Sequence, residues 1–302
     1  MTSLIEQAAR RLEQLRNAGV DVPAAPAVEA RSIGIPVVPP SQELPSEPQV
    51  VTSRSVEIDL KALAAKGIVT PNALRSRIAD QFRVVKRPLI ANAMGKGAAA
   101  IANGNLIMVT SALPGEGKSF TAINLALSIA TELDYTVMLV DADVARPSVL
   151  NVLGLQPGPG LLDIVQDESI GLSDVLLKTN IDKLTVLPSG TGHPRATELL
   201  ASDAMTRLLA DMAARYSDRI IIFDSPPLLL TTESRVLASH MGQIVMVVRA
   251  EKTLRADVQH ALSTIEACPV KLMLLNQANG SYKGGYGYGY GYGYGYGQEE
   301  HA

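Results

Sequence analysis

The chain has one cysteine, Cys268, and no apolar run near the roughly 18 residues needed to cross a bilayer. A lone thiol excludes an internal disulfide framework and fits a reducing compartment; before Pro269 it reads as a small apolar packing residue. The N-terminus lacks the apolar core of a signal peptide. A basic excess is missing too: 27 Lys and Arg stand against 30 Asp and Glu, a net charge of −3, so no general pull toward nucleic acid exists. These absences predict a cytoplasmic protein that reaches the inner face of the cytoplasmic membrane only where a partner recruits it.

Tyrosine is also scarce, except in one place. Of nine tyrosines, seven lie near the C-terminus: Tyr282, Tyr286, Tyr288, Tyr290, Tyr292, Tyr294 and Tyr296. Only Tyr135 and Tyr216 lie elsewhere. A Tyr-Gly alternation cannot bury enough surface to fold alone, so residues 278–302 are predicted to be a disordered tail. Phenolic hydroxyls on such a string fit phosphate acceptors; a merely adhesive low-complexity tract fits the same composition. A Gly-rich segment of about 15 residues spans about 20–23 Å root-mean-square, enough for a tyrosine to enter a neighbour's site or its own.

At the other end, residues 3–17 read as an amphipathic helix with Leu4, Ile5, Ala8, Leu12 and Leu15 along one side. Residues 20–48 are proline-rich and aperiodic, as linkers are. Residues 1–50 thus form a helical extension and linker, either a docking element or a loosely attached cap. Two helical patterns follow around Thr70-Pro71, where Thr70 can cap and Pro71 suits a first turn. The second, 72–86, carries Arg75, Arg77, Arg83 and Lys86, a charge run that reads first as a solvated face.

From Asn105 the rhythm becomes strand, helix, strand. Apolar runs at 106–110, 137–140, 184–187, 220–223, 244–248 and 272–275 have strand length, and helical patterns at 119–133, 203–216 and 255–267 separate several of them. Doubly apolar strands alternating with helices predict an α/β domain over 51–277, three layers around a mostly parallel sheet. Ligands of such sheets bind at the carboxyl ends of strands.

Three strands end in phosphoryl-transfer chemistry. The first turns through Ser111-Ala112-Leu113-Pro114-Gly115-Glu116-Gly117-Lys118-Ser119-Phe120, a phosphate loop with Ala112 in place of the usual first glycine. Gly115 and Gly117 let backbone N–H groups converge on phosphate, the helix N-terminus adds positive potential, Lys118 bridges the β- and γ-phosphates, and the Ser119 hydroxyl ligates Mg²⁺. The second strand ends in Asp141-Ala142-Asp143, with carboxylates at i and i+2 expected on one side of an extended chain, then Arg146-Pro147. Arg146 can meet a phosphate or a neighbouring subunit. The third ends in Asp224-Ser225-Pro226-Pro227, an acid fitted to organise Mg²⁺ on a loop that two prolines stiffen. Asn276, at the end of the last strand, is either an adenine contact or a strand-terminal turn residue.

With these motifs and the tyrosine tail, the chain resembles the bacterial tyrosine kinases, P-loop enzymes unrelated to the eukaryotic kinase fold. The wording Asp141-Ala-Asp-Val-Ala-Arg-Pro147 and the Tyr-Gly tail are most similar to the exosortase-associated autokinases of exopolysaccharide operons. The resemblance covers about residues 51–296 and implies an ATP- and Mg²⁺-dependent autokinase. In it, Asp141 is the proton acceptor, and Asp143 and Asp224 organise the metal. It also implies a ring-shaped homo-oligomer and a transmembrane polysaccharide co-polymerase as partner. Two features depart from the family. Ala145 stands where members often carry arginine, with Arg146 one later; and the subunit-joining Glu-x-x-Arg-x-x-Arg signature corresponds to Asp80, Arg83 and Lys86. Lys86 lacks the bidentate fork of arginine. The partition ATPases share the loops but place a lysine where Leu113 stands here, and they lack the tail. The alternative within the same scaffold is an ATPase-type switch that controls a membrane partner without tyrosine transfer.

Overall fold

Six of the eight strands arise where apolar runs predict them. In the computed structural model, which describes residues 54–278 apart from Leu74, Tyr216 and Ser217, the strands are β1 (Ser55–Val56), β2 (Leu106–Ser111), β3 (Thr136–Asp141), β4 (Leu177–Thr179), β5 (Leu184–Leu187), β6 (Arg219–Asp224), β7 (Gln243–Arg249) and β8 (Val270–Asn276). They form one sheet in the order β1-β4-β5-β3-β6-β2-β7-β8, parallel throughout except for the antiparallel β4–β5 pair. The predicted N-terminal helix, the linker and the tyrosine tail lie outside the described residues.

The helices used below are α1 (Leu60–Ala65), α2 (Arg77–Ala93), α3 (Lys118–Ala130), α4 (Val149–Leu153), α5 (Asp203–Arg215) and α6 (Arg255–Ser263). Successive strand residues face opposite sides, so each central strand serves two cores. Ile107, Val109, Leu139 and Ile222 pack with α2 and α3 on one face. Met108, Met138, Phe223 and Met246 pack with Met205, Leu209 and Met212 of α5 on the other. That double burial is why the strands read as unbroken apolar runs rather than alternating ones. Among the described residues, no helix is long and apolar enough to cross a membrane.

Cys268 fills the small apolar role expected of it. It is buried, its thiol directed at the Met241 carbonyl oxygen (3.4 Å), and burial raises its pKa.

Three local expectations need correction. Thr70-Pro71 does not start a helix: α1 begins after Asp59, whose carboxylate accepts from the N–H groups of Lys61 and Ala62, and α2 begins after Ser76, whose hydroxyl accepts from Ala79. A side chain that meets an orphan N–H outweighs a proline with pre-set φ. Second, α2 does not stop at Lys86 but runs through Pro88 to Ala93. The proline removes the donor for the Val84 carbonyl, and Val84 is exposed, where water can replace it. Third, the charge run is not wholly a solvated face.

Lys86 is only 2% exposed and turns into the domain. Its Nζ lies 2.7 Å from Glu132 and also donates to the Ser128 carbonyl and the Thr131 hydroxyl at the end of α3. Burial lowers the Lys86 pKa against the opposing pull of Glu132; burial also works against ionised Glu132, but Lys86 and Arg87 together more than offset it and hold that carboxyl below its usual range. Removing Glu132 strands the buried Lys86 ammonium, whereas an apolar replacement of the lysine leaves Glu132, 18% exposed, still paired with Arg87 (3.2 Å). Glu132→Ala is therefore expected to cost about 3 kcal/mol in urea unfolding, and Lys86→Met less than about 1 kcal/mol. Equal losses for the two variants would mean that the ion pair itself stabilises the fold.

Candidate nucleotide site

Adjacency in the sheet assembles the site. β2, β6 and β3 lie side by side, with Val109 opposite Asp224 and Asp224 opposite Asp141. The phosphate loop and both strand-terminal acids therefore emerge at one edge.

The loop leaves β2 and enters α3 through Gly115 (φ 79°) and Gly117 (φ 92°), both in the left-handed region that favours glycine. Gly117 is doubly constrained, because a Cβ there would come 2.1 Å from the amide nitrogen of Asn276. As the N-cap of α3 it offers no capping side chain. The first-turn N–H groups of this thirteen-residue helix are left for an anion. Lys118 sits 3.0 Å from Asp143.

The two strand-terminal aspartates differ from an ordinary surface acid. Asp141 is fully buried; its Oδ2 accepts N–H groups from Ser148 and Val149, each at 3.0 Å, at the start of α4, while Oδ1 meets no donor. Asp224 is equally buried, and neither of its oxygens meets a donor at hydrogen-bonding geometry. Burial pushes Asp141 up to about 6, despite the two N–H groups. Burial pushes Asp224 up to about 7, with Lys118 pulling the other way. Asp143 does not share a strand with Asp141 as the i, i+2 spacing predicts, because β3 ends at Asp141 and Asp143 lies in the following loop. Its carboxylate nevertheless turns to the same place and pairs with Lys118.

The two donor-free oxygens of Asp224, with the Asp143 carboxylate and the Ser119 hydroxyl, which accepts from Ser148 at 2.9 Å, offer an oxygen-only donor set suited to Mg²⁺. No three His, Cys, Asp or Glu side chains cage a metal by themselves among the described residues. A cleft of ≈ 460 Å³ opens over Lys118 and Ser119, walled by Asp143, Arg146 and Pro226-Pro227. Arg146 thus lines the cleft, and its N–H is anchored on Asp143 (3.1 Å).

Other expected residues take roles that spacing could not show. Pro114 lines the cleft beside Gly115. The Glu116 carboxylate holds the loop from within the protein: it is 2% exposed and accepts from the Leu113 N–H (2.8 Å) and the Thr253 hydroxyl after β7. The Asn276 amide donates to the Glu116 carbonyl (2.9 Å), and Gln277 donates to the Gly115 carbonyl (3.1 Å). The end of β8 therefore clamps the loop. The Phe120 side chain packs against the core between α2 and β8 rather than over the phosphate loop. Of the three positions matched to the subunit-joining signature, Asp80 and Arg83 pair with each other on the exposed side of α2, and Lys86 is spent inside the chain. Thr253, Gln277 and Ser148 were not legible as site residues. None carries a motif, and only the fold brings them to the loop.

The family model described as ParA, the NUBPL iron-transfer P-loop NTPase, matches residues 103–275. The tyrosine-protein kinase YwqD of Bacillus subtilis (strain 168) is 34% identical over 167 residues, 55% of this chain and 69% of that protein. The tyrosine-protein kinase ptk of Acinetobacter johnsonii is 33% identical over 185 residues, 61% of this chain. The chain spans only 25% of that longer relative's length. Among solved structures, the kinase domain of the Escherichia coli tyrosine kinase ETK superposes with a TM-score of 0.55 at 28% identity, covering 62% of this chain and 73% of that one. The ParA-type match describes the shared scaffold and the kinase relatives narrow it: the chain belongs to the bacterial tyrosine-kinase family of P-loop proteins.

Proposed function

We propose that the chain transfers the γ-phosphoryl group of Mg·ATP to tyrosines of its own C-terminal cluster. The observation that carries this is the set of buried carboxylate oxygens without donors, Oδ1 of Asp141 and both oxygens of Asp224, beside the Lys118 loop, in a chain that holds seven tyrosines between 282 and 296. Phenol, with a pKa near 10, is a weak nucleophile until a base takes its proton. Asp141 accepts it at Oδ1, the oxygen its two N–H partners leave open. Because that oxygen is buried, the proton arrives through one water. The tyrosine oxygen then bonds to phosphorus as the bond to the β-phosphate oxygen breaks, and ADP leaves. Lys118 and the first-turn N–H groups of α3 hold the phosphates and offset the charge spread over the transferring group. Ser119, Asp143 and Asp224 would hold Mg²⁺ directly or through water, and the ion would supply further charge neutralisation.

The same reading extends to assembly. Phosphorylating seven tyrosines adds about −10 to −14 charges, so mutual repulsion of the tails loosens a ring of copies and makes the assembled state phosphorylation-dependent. Asp80 and Arg83 are the exposed members of the surface that would join them. A transmembrane polysaccharide co-polymerase is the partner we assign, recruiting the kinase to the membrane in exopolysaccharide export. The Asp141–Pro147 wording and the Tyr-Gly run favour the exosortase-associated subfamily.

Incubation with Mg·ATP, followed by intact mass and tail-peptide mapping, tests the central step. Several phosphates confined to residues 282–296, and none in a chain with all seven tyrosines changed to phenylalanine, are expected. ATP turnover that leaves the tail unmodified would instead establish the ATPase-switch reading.

A further inference from the structure

The tail begins beside an apolar cleft whose lining shares no residue with the cleft over Lys118 and Ser119. The cleft, ≈ 470 Å³, lies between α2 and the end of β8, walled by Phe82, Val85, Phe120 and Leu274. Val84 and Leu275 stand at its rim and are 75% and 64% exposed, among the few large apolar side chains left uncovered in the described residues. Large exposed apolar groups gathered at a concavity mark a docking surface. Gln277 and Ala278 line the same cleft, and Gln277 is tied to the phosphate loop through the Gly115 carbonyl, so the point where the chain leaves β8 is fixed at the cleft wall.

We infer that Tyr282 docks into this cleft and anchors the root of the tail, leaving the six tyrosines from Tyr286 onward as the acceptors. Tyr282 follows Ala278 by four residues, which reach at most about 14 Å, so it is the tail tyrosine tethered closest to the cleft. Its setting also differs. Ser281 and Lys283 flank it, whereas each of the other six sits between glycines. The cleft suits a phenol. Its floor is aromatic and aliphatic, and Gln81 adds an amide that can serve the hydroxyl at the polar end. An aromatic ring buried here covers Leu274 and Leu275, and it starts the remaining tail from the strand end that clamps the phosphate loop. The inference refines the acceptor set of the proposed autokinase and so rests on that reading for its consequence, but the docking itself does not depend on activity.

The chain has no tryptophan, so Tyr282→Trp introduces a single indole reporter into the full-length protein. Tyr290→Trp serves as the reference for an undocked position. The expected result is a blue-shifted emission for the indole at 282 relative to 290, with several-fold weaker acrylamide quenching, independent of protein concentration. Leu275→Glu places a charge at an already exposed rim position, which the fold tolerates, and should return the 282 emission to that of 290. Identical emission at the two positions overturns the inference. A shift that survives Leu275→Glu places the ring elsewhere, and one that appears only at high concentration assigns the cleft to a second copy; either result also overturns it. Because fluorescence is read without ATP, an inactive kinase with a docked indole and an active kinase with an undocked one are separate outcomes. In an active preparation Tyr282 should be the last of the seven to gain phosphate, and early labelling there counts against docking.

Discussion

Lys118→Met is expected to reduce phosphate transfer to the tail by at least ~10²–10³-fold, the usual cost of removing one fixed charge-stabilising donor from a transition state. The ammonium is held 3.0 Å from Asp143, at the mouth of a helix whose N–H groups are uncapped, so it enters the reaction already placed. Methionine keeps the length and apolar stem of the side chain and removes the charge. Three buried or nearly buried acids, Asp141, Asp143 and Asp224, are then left without the ammonium that pairs with Asp143. A time course of intact mass with Mg·ATP measures the effect. The substitution changes no core packing but leaves Asp143 without its cation, so the urea midpoint should fall, and a retained cooperative transition would show that the folded state survives. A residual rate within tenfold of wild type would mean that Lys118 is not the group that meets the developing charge.

The second large effect has opposite signs in two assays. Asp224→Asn should lower transfer by ~10²-fold or more, because the buried acid proposed to position the metal is gone. The same change should stabilise the nucleotide-free protein above neutral pH. Burial raises the Asp224 pKa from 3.8 to about 7. Between those values the folded state binds a proton that the unfolded chain has released, so stability falls as pH rises through this window. Above it the full penalty of an ionised, unpartnered carboxylate is present. At about 1.4 kcal/mol per pH unit the ceiling is on the order of 4 kcal/mol, and Asp141, raised to about 6, adds to the same slope. Urea unfolding in EDTA at pH 5 and pH 8 should show wild type losing stability and Asp224→Asn losing much less. Parallel losses would show that Asp224 is not the source of the slope. A cation bound against Asp224 would offset that penalty, so added Mg²⁺ should flatten the wild-type slope more than that of Asp224→Asn.

The chemistry of this protein is more legible in its sequence than its supporting structure. Asp141, Asp224 and the phosphate loop announce themselves because an acid or a glycine placed directly after an apolar run does little for packing and much for phosphate or metal. The central strands are equally plain, being buried on both faces. β1 and β4, with two and three residues, are too short to hold a period, and pairing with neighbours alone makes them strands. Lys86 misleads because charge on a helix usually seeks water, and only the partner just beyond α3, Glu132, 46 positions away in the chain, reveals why it is inside. Glu116 reads as a backbone donor of the loop, yet its carboxylate reaches Thr253 across 137 positions to brace that loop. Long-range partners of this kind leave no periodicity and no spacing behind.

The burial of Cys268 has a practical consequence. At 2% exposed, with burial raising its pKa, the one natural thiol is a poor target for maleimides and iodoacetamide near neutral pH. A cysteine introduced on the exposed side of α2 would react alone. Spin labels, cross-linkers or dye pairs can therefore be attached at chosen positions in an otherwise unaltered chain, with no need for a cysteine-free background.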